Sequence, residues 1–211
     1  MSQLQTLSNK TSYHHGALYE SLLTAAEEEL NEKGVESFSL RSVAKRAGVS
    51  HGAPAHHFGD ASGLLTQLAA RGYQRFLDTQ KSFQQEAARD AESQLAASGL
   101  GYIHFATQNP ALFRLMFASE RTNRSDKRLA IAADSAFNKL VADVSLVLGR
   151  DAQAHADTMT DVMSAWVIAH GLADLMITDR FERIEFFHAL DAKQRDALFS
   201  SLIMRSIQRS D

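Results

Sequence analysis

The sequence predicts an all-α fold, with an N-terminal three-helix unit containing a helix-turn-helix and a C-terminal helical bundle. Three observations carry that reading. The 211 residues include two prolines and few β-branched runs, so little in the chain resists helix. Apolar residues recur with the three-to-four-residue period of one helix face in segment after segment. Glycine, or asparagine followed by proline, closes those segments at helix-length intervals. With 45% hydrophobic residues the chain can bury the core of one or two domains.

Residues 1–12, MSQLQTLSNKTS, have no apolar run of the kind an export signal needs and read as a flexible polar arm. Tyr13, His14, His15 and Gly16 lead into a first helix over 17–32, with Leu18, Leu22, Ala25, Ala26 and Leu30 on one face and Gly34 past its end. After a helix-turn-helix, Asp60 is expected to cap a long helix that starts at Ala61 and runs into the 80s, turning Leu64, Leu65, Leu68, Tyr73, Phe76, Leu77 and Phe83 inward. This helix reads as the mechanical link between two domains, 13–60 and 61–211. A fifth helix begins near Ala91 and stops at Asn109, because the residue before a proline resists helical angles, and Pro110 opens a short helix. The polar stretch 119–128 reads as a loop. Further helices are expected over 129–148, 152–178 and 192–208. The second of these turns from polar to apolar on all sides, which buries one end. The longest apolar run, 162–177, is too short to span a bilayer and holds His170 and Asp174, so the chain reads as a cytoplasmic protein with no membrane partner.

The stretch 38–58, FSLRSVAKRAGVSHGAPAHHF, carries most of the functional reading. Ser39 is a good N-cap, and Leu40, Val43, Ala44 and Ala47 form one apolar stripe, which turns Arg41, Lys45 and Arg46 outward. Gly48 can take a left-handed backbone, Val49 is an apolar plug, and Ser50 can cap a second helix that begins at His51. Such a unit crosses its first helix over a phosphate backbone and lays the start of the second in the major groove. Residues 38–59 contain no Asp or Glu, so DNA contact is electrostatically allowed. An ordinary helical corner with a solvated basic side fits the periodicity equally well. If DNA is read here, the reading surface is Ser39, Arg41, Lys45, Ser50, His51, Gly52, Ala53, His56 and His57, joined by His14 and His15. Ser50 would serve a phosphate and His51 a base edge, while Gly52 and Ala53 allow close approach. Pro54 lacks a backbone N–H inside the second helix and should shorten or distort it.

The formal net charge of −3 and a pI near 6.3 give no global basic field, so a basic face would have to be local. The acids of the N-terminal part, Glu20, Glu27, Glu28, Glu29, Glu32 and Glu36, sit on the first helix and just beyond it. The absence of cysteine excludes disulfides, thiolate metal sites and thiol-based redox sensing. Nine histidines invite a metal-dependent enzyme as an alternative, and Glu185 with His188 makes one Glu-x-x-His. A di-iron bundle needs a second such pair and two more carboxylates, so no metal, cofactor or catalytic residue is expected.

The motif order over about fifty residues resembles the N-terminal domain of TetR-family transcriptional regulators. It comprises the first helix, Lys33-Gly34, Phe38-Ser39-Leu40-Arg41, Ala47-Gly48-Val49-Ser50-His51-Gly52, His57-Phe58 and Leu64-Leu65. Asn109-Pro110 with Phe113 and Met116-Phe117, and Trp166 with His170-Gly171, resemble the C-terminal domain of one branch named for its Trp-His-Gly. The resemblance implies that His57 contacts phosphate. The chain departs from the family at Ala55, where a tyrosine is common, and at Ala61, where a lysine usually opens the long helix. Each departure removes a phosphate anchor, which motivates a second alternative, a helical dimer that has lost DNA binding and keeps a ligand or protein partner.

Trp166, His170 and Asp174 are spaced to stack on one helix face, where Asp174 could fix the imidazole tautomer of His170. Either they pack as core or, with Tyr102, Phe105, Phe113, Met116, Phe117 and Phe137, they line a ligand pocket; His104 lies on the same helix as Tyr102. The last two long helices carry more apolar surface than a small bundle covers, which suggests a homodimer, and the resemblance implies the same interface. It also implies the mechanism: a small molecule in the C-terminal bundle shifts the long helix and alters the spacing of two reading heads on a palindromic operator, usually in the sense of repression.

Overall fold

The computed structural model describes residues 3–151, 153–154 and 156–207, with side chains from Gly16 onward. Among the described residues the structure is helical, with no strand, as the sequence predicts. The helices are α1 (Gln3–Lys33), α2 (Leu40–Arg46), α3 (Ala53–Phe58), α4 (Ala61–Glu86), α5 (Ala91–Gln108), α6 (Pro110–Phe117), α7 (Lys127–Leu148), α8 (Ala156–Ile177), α9 (Glu185–His188) and α10 (Ala192–Arg205). A 3₁₀ turn, Arg180–Arg183, lies between α8 and α9.

Several boundaries follow from local chemistry. The Asp60 carboxylate accepts the Gly63 N–H at 2.8 Å and starts α4, as expected. Asp90 does the same for α5 through Ser93, at 2.9 Å, and Asp191 with Gln194 forms a reciprocal capping box for α10. Asn109 ends α5 ahead of Pro110. Helix α1 departs from expectation, since it begins at Gln3 rather than Ala17, so residues 3–12 are helical where a flexible arm was expected. No proline interrupts this stretch, and its internal Gly16 costs a helix only about 1 kcal/mol against alanine. Helix α8 begins at Ala156 rather than near Ala152, since residues 153–154 form a turn, and α10 ends at Arg205 with Ser206 as its C-cap rather than at Gln208, which itself lies outside the described residues.

The chain forms two compact units: Met1–Gly72 with Arg114–Ala130, and Tyr73–Phe113 with Ile131–Asp211. The first unit is built on the apolar face of α1, where Leu22, Leu23, Ala26 and Leu30 are buried with Phe38, Val43, Ala44, Leu64, Leu65 and Leu68. Its second segment is tied in by specific hydrogen bonds. Arg121 donates to the carbonyls of Val35 and Glu36, the Asn123 N–H reaches the Thr66 hydroxyl at 2.8 Å, and Gln67 links to Asp126 at 3.4 Å and Arg128 at 3.3 Å.

In the second unit α5 lies against α8 and α10, which also touch each other. Leu95, Ile103, Phe105, Val162, Ala165, Phe199 and Ile203 fill that core. Gly101 lets α4 approach closely: a Cβ there would stand 2.7 Å from the Cα of Gln80. The aromatic rings of Phe181 and Phe187 stack at 4.4 Å, and both lie near Phe199, so the 3₁₀ turn and α9 are pinned to α10.

Candidate nucleic-acid interface and effector site

The helix-turn-helix of the first unit is set by α2 and α3. The Ser39 hydroxyl accepts the Ser42 N–H at 3.2 Å and so caps α2. Val43 and Ala44 are buried and Leu40 and Ala47 half-buried, leaving Arg41 and Lys45 exposed. Gly48 takes φ 67°, and the Val49 N–H returns to the Ala44 carbonyl at 3.0 Å, closing the turn.

The second helix corrects the expectation at its start. It begins at Ala53 with Gly52 as cap, not at His51 with Ser50 as cap. Pro54 is the reason. In a helix starting at His51, Pro54 would have no N–H to give the Ser50 carbonyl and its ring would press on that carbonyl. Instead the Ser50 carbonyl accepts the Ala53 N–H at 3.0 Å, and Pro54 sits, buried, in the first turn, where a missing N–H costs nothing. Ser50, His51 and Gly52 are therefore exposed on a turn that enters α3, with His56 exposed and Ala53 half-buried on the helix. His57 is half-buried, 6.5 Å edge-on from Tyr19 and 6.1 Å from Phe58. His14 and His15 lie on α1, and their side chains are outside the described residues.

Arg46, which the helical period turns outward with Arg41 and Lys45, is drawn to α1. Its guanidinium bonds Glu32 and, at 3.1 Å, Glu29, with Glu28 at 3.6 Å. Glu29 is 1% exposed and also pairs with Lys33 at 2.9 Å. Burial pushes its carboxyl up, but hydrogen bonds from Lys33, Arg46 and Ser42 outweigh that and hold it below its ordinary value. Glu28, Glu29 and Glu32 of α1 thus meet Arg46, which ties α2 to α1.

In the second unit, Tyr102 of α5 is the centre of an aromatic cluster. Its hydroxyl hydrogen-bonds His170 Nδ1 at 2.7 Å, and its ring lies 4.9 Å from Phe76 and 5.8 Å from Phe113. Burial pushes the Tyr102 phenol far up, against a hydrogen bond from Trp166. Burial also lowers His170, with the charge of Asp174 opposing, so both groups are neutral near pH 7. The His170 ring is thus tied to Tyr102 of α5, while Asp174, the residue one turn further along α8, is exposed. Trp166, one turn from His170, meets Phe137 of α7 at 5.9 Å.

The structure therefore gathers Tyr102, Phe113 and His170, and pairs Phe137 with Trp166. Phe105 is fully buried against Phe76 at 5.4 Å. His104 points to Asp196 of α10 at 3.3 Å, and Met116 and Phe117 belong to the first unit. Sequence reasoning missed a polar layer beside the aromatic one. Gln80 Nε2 donates to the Ser98 carbonyl and hydroxyl, each at 3.2 Å. Lys139 Nζ reaches the same hydroxyl at 3.2 Å and pairs with Asp143 at 2.6 Å. The spacing of Phe76 to Gln80 and of Ser98 to Tyr102, one helical turn each, was the available signal. Among the described residues no group of three or more His, Asp or Glu is placed to hold a metal ion, and no helix is long and apolar enough to cross a membrane.

Comparison with known proteins agrees with this architecture. Residues 22–68 match the pattern of bacterial regulatory proteins of the tetR family, and residues 95–204 match the tetracyclin repressor-like C-terminal domain. An uncharacterized HTH-type transcriptional regulator of Bacillus subtilis, YobS, is 24% identical over 81% of this chain and 84% of its own. A Rhodococcus protein of unknown function has 28% identity and a TM-score of 0.74, covering 92% of this chain and 97% of that one. The TetR-family regulator PfmR of Thermus thermophilus has 16% identity and a TM-score of 0.62, covering 89% and 99%. With a helix-turn-helix at one end and the family's C-terminal pattern over more than half its length, the chain belongs to the TetR family of bacterial DNA-binding transcriptional regulators.

Proposed function

We propose that the protein is a ligand-responsive repressor of the cytoplasm that binds a palindromic operator as a homodimer and is released by a small molecule in its C-terminal bundle. Residues 13–60 would read DNA, and 61–211 would bind the effector and dimerise. The observation that carries the reading is the exposed surface of Arg41, Lys45, Ser50, His51, Gly52 and His56 on a turn and helix start, in a stretch without acids. Steric access matters there as much as charge, since the exposed Gly52 leaves room for backbone approach to a base edge or phosphate. For dimerisation, α8 and α10 are the last two long helices, and α8 exposes Met163, Val167 and Leu175. Ala55, exposed, and Ala61, half-buried, offer no phosphate anchor, which favours modest affinity and keeps a DNA-blind dimer as the competing reading.

Fluorescence anisotropy of the purified chain against a labelled fragment from upstream of its own coding region, with unrelated DNA as control, tests this. Salt-sensitive preference for the upstream fragment is expected, and His51→Ala should weaken it about tenfold, the cost of one base-edge contact. Absence of binding even at low salt would shift the weight to the DNA-blind dimer.

A further inference from the structure

The effector cluster has two layers one helical turn apart. The aromatic layer is Phe76, Tyr102, Phe113 and His170; the polar layer is Gln80, Ser98 and Lys139. Gln80 is 7% exposed, and while its Nε2 is used on Ser98, its Oε1 is a buried acceptor with no donor. A buried acceptor left this way is destabilising unless something supplies an N–H or O–H. Lys139 is committed to Asp143 at 2.6 Å, so the cation that reaches Ser98 arrives already balanced. An anionic ligand would have to break that pair, and a cationic one would meet its ammonium. Tyr102 and His170 are held neutral by burial.

We infer that the effector is an uncharged molecule with an aromatic or cyclic body and one hydroxyl or N–H donor, its body against Phe76, Tyr102 and Phe113 and its donor on Gln80 Oε1. This rests on the reading of the cluster as the effector site. A donor completes the Gln80 amide without disturbing the Lys139–Asp143 pair, so binding is rewarded by a group that an apolar molecule of the same shape lacks. Specificity here comes from an unmet acceptor rather than from charge.

The chain has a single tryptophan, Trp166, one turn from His170, so its emission reports occupancy of this site. The test titrates the full-length protein at pH 7 with 4-propylphenol, with 1-fluoro-4-propylbenzene, which has the same shape and no donor, and with 4-propylbenzoate. The phenol is expected to change Trp166 emission with an affinity about tenfold tighter than either competitor. Gln80→Met is expected to bind the phenol and the fluoro compound equally. Equal binding of these two by the unaltered protein, or tighter binding of the benzoate, overturns the donor rule while leaving the effector site standing. No response to any of the three overturns both. The comparison on the unaltered protein decides the matter even where Gln80→Met fails to fold.

Discussion

At Glu29 a buried carboxylate is held by Lys33, Arg46 and Ser42, and that arrangement separates two kinds of basic residue on α2. Because the folded carboxyl titrates below its ordinary value, Glu29 contributes stability that is fully present above about pH 4.3 and is lost as pH falls through the lower folded value. Thermal melts followed by circular dichroism should therefore show the first unit weakening below that pH, with Glu29→Gln flattening the dependence. Arg46, exposed like Arg41 and Lys45, is spent on the same network, whereas among the described residues no ion pair holds Arg41 or Lys45. Replacing either exposed residue by glutamine should lower the salt slope of DNA binding by about 1 per subunit, while Arg46→Gln should leave the slope unchanged and lower the melting temperature. The helical period exposes all three bases equally, and only the packing of α1 behind α2 distinguishes them. The same limit applies at His170. Its neighbour Asp174 is visible at i+4, but its hydrogen-bond partner Tyr102 is 68 positions away.

Most element boundaries were legible because they are local. Ser39, Asp60 and Asp90 accept an N–H from their own first turn, and Pro110 forces the end of α5 at Asn109. At α3 two local rules compete: Ser50 is a better cap than Gly52, but Pro54 decides where the helix can start. Helix contacts add constraints no local rule shows. Gly101→Ala should destabilise the second unit by about 1–3 kcal/mol in denaturant melts, because its Cβ would stand 2.7 Å from backbone on α4. Gly99→Ala should cost less, since its nearest neighbour, at 2.4 Å, is the Cδ1 tip of Ile203, which can rotate away. A reversal of that order would mean that α4 is free to move outward.

For the molecule as a whole, the helix-turn-helix and the bundle could be anticipated from motif order, but the membership of residues 114–130 in the first unit could not. The stretch 119–128 reads as a polar loop because its side chains are polar; those of Arg121, Asp126 and Arg128 are polar in order to reach backbone and side-chain partners after α1 and on α4. A fold read from periodicity assigns a segment to its sequence neighbours, and long-range hydrogen bonds carry no period. The consequence reaches past this protein's own chemistry into how its gene can be cut. A cassette made of codons 1–72 would omit Arg121, Asn123, Asp126 and Arg128, together with the buried Leu115, Met116 and Leu129. Such a fragment should express as an aggregating or partly unfolded product, whereas a chimera that keeps 114–130 in place and exchanges sequence elsewhere should remain soluble.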